Sequence, residues 1–188
     1  MADLSSFADP PPGLRTGAPS RPSGRDNALI DLVELLFFAY RDFTADADAI
    51  LAEFQFGRAH HRVLHFVENY PGLRVADLLE ILKITKQSLA RVLKQLVANG
   101  FIEQRLGEAD RRERRLYTTA AGRQLARRLL GPQIERVQLA LKSSRDQSEG
   151  DIVKAFLCAM IEPGERHRIA KLLPGSIAIP KTKPEAAR

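Results

Sequence analysis

The chain has 188 residues, a formal charge of +6, 44% hydrophobic and 28% charged residues, the profile of one globular domain or slightly more with enough apolar material for a real core. A single cysteine, Cys158, excludes an internal disulfide framework and a cysteine-rich zinc module and fits a reducing compartment. The most apolar stretch, residues 28–40, is interrupted by Asp31 and Glu34, which excludes a membrane span, and the Pro-rich start has no apolar signal-peptide core, so a cytoplasmic location is expected. Aromatics make up only 6% and aliphatics dominate, which favours helices over a sandwich or barrel.

In chain order, residues 1–24 hold five Pro and three Gly with few apolar side chains and read as a disordered tail. Leu29, Leu32, Val33, Leu36, Phe37 and Tyr40 then follow a helical period. A second helix is predicted from about Arg58 to Asn69, with Val63, Leu64 and Val67 inward, ending before the Pro71-Gly72 turn. A third, short helix carries Val75, Leu78, Leu79 and Leu82, and Thr85 is placed to cap a fourth. That fourth helix shows an apolar stripe of Leu89, Val92, Leu93, Leu96 and Val97 against a polar face of Lys86, Gln87, Arg91, Lys94 and Gln95. Gly100 fits a left-handed C′ position, with Phe101 returning to Leu96.

Residues 101–105 and 114–118 read as two strands of a hairpin with a charged tip. Thr119 can cap the next helix, whose apolar positions are Leu125, Leu129, Ile134, Val137 and Leu141, with a kink expected at Gly131-Pro132. Residues 143–150 read as a break, Ile152, Phe156 and Ala159 as a further helical face, and Pro163 as the start of a last helix. Residues 174–188 read as a flexible tail.

Charge is concentrated. Residues 83–128 hold twelve basic against four acidic side chains, the footprint of a polyanion-binding face. Short helix, turn, amphipathic helix with a cationic face, then a charged hairpin is the order of a winged helix-turn-helix. In that arrangement the fourth helix offers its polar face to the DNA major groove and the hairpin reaches the neighbouring minor groove. The expected fold is mainly α with a small β-hairpin wing and a helical dimerisation layer. Residues 26–57 and 119–173 would supply that layer, and residues 58–118 the DNA-binding domain.

Residues 84–93, Leu96, Gly100-Phe101-Ile102-Glu103 and Arg105, then Asp110-Arg111-Arg112 and Thr119-Ala120-Ala121-Gly122, form an ordered set that resembles the MarR family of transcription regulators; Thr118 departs from the usual Leu. The resemblance implies a triangular homodimer on a pseudo-palindromic operator, modulated by a small effector, and no enzymatic activity or cofactor. Apolar stripes on the N- and C-terminal helices fit a partner copy.

Lys86, Gln87, Ser88 and Arg91 are the candidates for base edges, since Gln pairs adenine and Arg pairs guanine bidentately. Thr85 and Lys94 are candidates for phosphates, Arg111, Arg114 and Arg115 would support phosphate contact from the wing, and Arg105 is a further DNA-binding candidate. The family's Asp-x-Arg assigns Arg112 to the minor groove, braced by Asp110. The corresponding family region lines a pocket, which makes Tyr40, Phe43, His61 and His65 candidates for a small aromatic or phenolic effector. His61 and His65, spaced i, i+4, could instead chelate a metal in a metal-responsive regulator, although no metal site is assigned. Cys158 beside Phe156 and Met160 reads as a packing residue rather than a redox switch. A winged-helix module serving protein–protein contact is the alternative outside DNA binding. Phosphate-loop, nucleophile-elbow and zinc-protease motifs do not occur in the sequence.

Overall fold

The computed structural model describes residues 27–107, 113–143 and 149–173. The elements run α1 (Asn27–Ala52), α2 (Arg58–Asn69), β1 (Leu73–Arg74), α3 (Val75–Leu82), α4 (Lys86–Ala98), β2 (Ile102–Leu106), β3 (Arg114–Thr118), α5 (Ala120–Ser143), α6 (Glu149–Met160) and α7 (Pro163–Leu172). The two tails read as disordered, 1–24 and 174–188, lie outside the described residues. The chain divides into two compact units, up to Arg41 and from Asp42 onward. Residues 27–41 form an unbroken helix whose Leu29, Leu32, Val33, Phe37 and Tyr40 are all exposed.

In the second unit the core is built around α2. Val63, Leu64 and Val67 are at most 1% exposed and belong to one cluster with Leu78 and Leu82 of α3 and Leu89, Val92, Leu93 and Leu96 of α4. The cluster extends to Leu116 of β3 and to Leu125 and Leu129 of α5. The late turns of α1 join it through Ala47 and Leu51. Val97, placed on the apolar stripe by its spacing, is 39% exposed instead; it lies one position beyond Leu96, about 100° further round the helix and so at the rim of the stripe.

The sheet has three antiparallel strands in the order β1-β3-β2, not the two of a simple hairpin. The added strand pairs Leu73 with Leu116 and Arg74 with Arg115. Two residues cannot show an alternating pattern, so only the Pro71-Gly72 turn announces the strand. Gly72 has φ +84 and its N–H bonds Leu116 O at 2.9 Å. A Cβ there would meet Tyr117 Oη at 3.0 Å.

The end of α4 closes as its Gly predicts. Phe101 N–H donates to Leu96 O at 2.9 Å and Gly100 N–H to Val97 O at 3.0 Å, the two bonds of a Schellman motif. Helix α5 runs on through Gly131-Pro132 to Ser143. Cys158 is buried. Among the described residues, no helix is long and apolar enough to cross a membrane.

Thr119 and Gly122 anchor α5 to the sheet. Thr119 Oγ1 accepts from Gly122 N–H at 3.0 Å and donates to Gly100 O at 2.6 Å, while Thr119 N–H bonds Phe101 O at 3.1 Å. A Cβ on Gly122 would lie 2.0 Å from that same Phe101 oxygen. The Thr-x-x-Gly spacing is therefore a steric requirement. Gly122→Ala is expected to destabilise the fold by about 1–3 kcal/mol or more, as overpacking against backbone does, read as a lowered urea midpoint; an unchanged midpoint would contradict this packing.

Candidate nucleic-acid interface

The helix-turn-helix unit is made by local rules. Asp77 Oδ2 accepts from the Arg74 N–H at 3.1 Å, starting α3. Lys83 ends it in the left-handed region, φ 51 and ψ 42, a conformation that usually falls to glycine. Thr85 then caps α4, its hydroxyl accepting from Ser88 N–H at 3.1 Å and donating to Ser88 Oγ at 2.9 Å. Three residues thus separate α3 from α4, the spacing of a helix-turn-helix.

The polar face of α4 lies outward. Lys86, Gln87, Arg91 and Lys94 are exposed, while Leu89, Val92, Leu93 and Leu96 on the other side are at most 4% exposed. Helix α4 contains no acidic residue, so three cations face water with no carboxylate on their own helix. Ser88 is half-buried, and both it and Thr85 engage their hydroxyls in the cap, which gives these two a structural task first.

The wing is described up to its tip. Leu106 stands opposite Arg114, and Gly107 N–H bonds Glu113 O at 2.9 Å. Arg114 is exposed. Arg105 is also exposed, but its guanidinium lies 4.4 Å from the Tyr117 ring centroid and pairs with Glu103. Asp110, Arg111 and Arg112, the expected tip residues, lie outside the described residues.

Several residues that set up this face carry no motif. His60 stacks on Phe56 with centroids 4.4 Å apart and planes 5° apart. Its Nδ1 accepts from Gly57 N–H at 3.1 Å, so the ring proton is on Nε2, which donates to Gln95 Oε1 of α4 at 2.8 Å. Arg62 Nη2 donates to Leu82 O at 3.2 Å and so holds the end of α3. Glu68 Oε2 accepts from Thr118 Oγ1 at 2.5 Å, tying α2 to β3. Arg74 bridges Asp77 and Glu113, joining the start of α3 to the base of the wing, and its hydrogen bond holds the Asp77 carboxyl below the usual carboxylate range. The bonds of His60, Arg62 and Glu68, and that of Arg74 to Glu113, span 20 to 50 residues of chain, so no local spacing signals them.

The four effector candidates are not gathered at one described site. A cavity of about 460 Å³ lies between α2, α3 and α7, and of the four only His65 lines it. Tyr40 is exposed on the first unit. Phe43 is half-buried, and its carbonyl accepts from Gln133 Nε2 at 3.3 Å. Among the described residues, no group of three or more His, Cys, Asp and Glu is placed to hold a metal ion, so His61 and His65 lack a third ligand there.

Burial lowers the pKa of both imidazoles from the usual 6.5, helped at His61 by the neighbouring His65. The folded chain then binds fewer protons than the unfolded chain as pH falls through 6.5. Stability is therefore expected to drop on acidification in that window, and the His61→Gln, His65→Gln double variant should show a shallower drop in Tm. An identical pH profile for variant and parent would contradict the assignment.

Similarity to known proteins is consistent with this geometry. The MarR family model matches residues 54–113. The HTH-type transcriptional regulator PetP of Rhodobacter capsulatus is 42% identical over 147 residues, covering 78% of this chain and 88% of that one. A MepR mutant from a multidrug-resistant S. aureus clinical isolate has a similar fold, with a TM-score of 0.59 at 20% identity over 69% of this chain and 94% of that one. Mutant MarR from E. coli, solved with operator DNA, gives 0.56 at 18% identity over 74% and 100%. With a turn-linked helix pair, an outward cationic helix face and a three-stranded wing all in place, the chain belongs to the MarR family of winged helix-turn-helix transcription regulators.

Proposed function

We propose that this regulator acts in the cytoplasm as a homodimer on a pseudo-palindromic operator in double-stranded DNA, with a small molecule modulating its affinity. The observation that carries the DNA reading is the outward face of α4, where Lys86, Gln87, Arg91 and Lys94 are exposed on a helix clamped by its opposite side. A helix of this kind fits the major groove, where Gln87 and Arg91 have the fork geometry for adenine and guanine edges. Lys86 and Ser88 flank them at the start of the helix, and Lys94 is placed for a phosphate. Thr85 contributes by fixing the helix start. Residues 58–118 form the DNA-binding part. Its wing would bring Arg112, braced by Asp110, to the minor groove, with Arg105, Arg111 and Arg114 toward phosphates. Fold likeness to the E. coli MarR solved with operator DNA supports the same reading.

The homodimer is supported by apolar side chains left in water. In residues 27–41, Leu29, Val33 and Phe37 are exposed, and in the later helices so are Val137, Leu141, Ile152 and Phe156. So many large apolar side chains exposed on helices are uncommon on a monomer. A two-fold axis would bury them and set two copies of α4 one DNA turn apart.

Selection from a random DNA pool is expected to yield an inverted repeat with half-site centres about one turn, ~34 Å, apart. Recovery of no common sequence would instead favour a protein–protein role. On the selected site, Arg91→Ala should lower affinity by about tenfold or more and relax preference at one base pair. Lys94→Ala should weaken all sequences alike and reduce the salt slope by about 1. Equal binding by both variants and the parent across a salt series would refute the α4 assignment. The Val33→Glu, Phe37→Glu variant should sediment as a monomer and lose operator affinity; an unchanged mass would remove residues 27–41 from the interface.

A further inference from the structure

We propose that Gln95 is a further DNA contact of α4, its side-chain amide donating to a backbone phosphate, and that the buried His60 positions that amide. The proposal rests on the reading above that α4 enters the major groove.

His60 has little freedom to move. It is 9% exposed and lies flat on Phe56, whose ring in turn meets Phe101 edge-on with centroids 5.8 Å apart. Gly57 N–H donates to Nδ1 at 3.1 Å, which leaves the ring proton on Nε2. Only an acceptor can receive that proton. Gln95, 2.8 Å away, therefore turns Oε1 toward the ring and its NH2 group away from it.

The backbone that carries Gln95 is fixed as well. Asn99 donates twice to Gln95 O, through its N–H at 3.0 Å and through Nδ2 at 2.8 Å, which holds the last turn of α4 against fraying. Gln95 itself is exposed, and among the described residues nothing accepts from its Nε2. A donor held in one orientation and facing water has little freedom left to lose when an outside acceptor arrives.

The place of this donor decides the acceptor. Gln87, Arg91 and Gln95 are spaced i, i+4 and i+8 and are all exposed, so Gln95 continues their stripe by one turn. It stands about 40° round the helix from Arg91, on the side of Val92 rather than that of Lys94. A helix in the major groove turns its centre to base edges and its flanks to the phosphates along the walls, where Gln side chains are common donors. Because the amide is neutral, it displaces no counterion. Its contribution to affinity is then independent of salt, unlike that of Lys94.

The test measures binding of the full chain to the selected operator and to a random-sequence duplex by fluorescence anisotropy, over a salt series of about 50 to 200 mM. Gln95→Ala is expected to weaken both duplexes alike by about tenfold, as one hydrogen bond to a charged group implies, with the salt slope of the parent. Gln95→Glu, which still accepts from His60 but puts a charge beside the phosphate, should bind more weakly than Gln95→Ala. His60→Phe keeps the stack on Phe56 and loses the tie; with its Tm confirming a folded chain, it should weaken both duplexes, and the His60→Phe, Gln95→Ala double variant should bind no more weakly than Gln95→Ala. The ring tautomer is read independently from the 15N shifts of His60, where a proton on Nε2 is expected. Parent affinity for Gln95→Ala, a changed base preference, a salt slope reduced by about 1, or Gln95→Glu binding as well as Gln95→Ala would overturn the contact. Additive losses in the double variant, or a proton on Nδ1, would overturn the role of His60. Arg91→Ala is measured on the same duplexes. If it lowers operator affinity while Gln95→Ala does not, this inference alone falls; if neither does, the reading of α4 falls with it.

Discussion

Helix α2 is the constraint on which the DNA-facing surface depends. One side of it, Val63, Leu64 and Val67, is the centre of the core. Its polar side chains then reach each neighbouring element in turn. His60 holds α4 through Gln95, Arg62 holds the end of α3, Glu68 holds β3 and Tyr70 holds α7. Apolar burial supplies most of the free energy but is indifferent to rotation of a helix about its axis. Directional bonds from a single rigid helix supply the missing orientation.

That orientation gives α4 its two faces. Leu89, Val92, Leu93 and Leu96 lie against the body, and helical geometry then leaves Lys86, Gln87, Arg91 and Lys94 in water. Exposed cations add little to stability on their own, since solvent screens them. Their value lies in association, where a polyanion releases its counterions. The turn before α4 spends some stability to achieve this. Lys83 accepts a left-handed backbone so that three residues can swing the chain from α3 into the Thr85 cap.

Much of this was legible in the sequence. The spacing of apolar residues placed α2, α3 and α4, Thr85 and Gly100 marked the start and end of α4, and Thr119 marked the start of α5, through capping chemistry that needs no tertiary knowledge. Strand β1 was hidden because two residues carry no period, and Val97 was misplaced because it stands at the rim of the stripe, about 100° round the helix from Leu96. The contacts of His60, Glu68 and Arg74 join residues far apart in the chain, and no local rule announces a partner at that distance. For the effector, the sequence pointed to four residues, and the cavity takes only His65 of them; its other walls come from α3 and α7, whose meeting is purely tertiary.

The central claim is that the outward side of α4 enters the major groove. It is tested most directly by placing a cleaving group there: Gln87→Cys, in a chain also carrying Cys158→Ser, bears an iron chelate and is bound to operator DNA. The account predicts strand cleavage confined to the bases and sugars flanking one major groove in each half-site, at two positions about one helical turn apart. Cleavage spread evenly along the duplex, or confined to its ends, would contradict it.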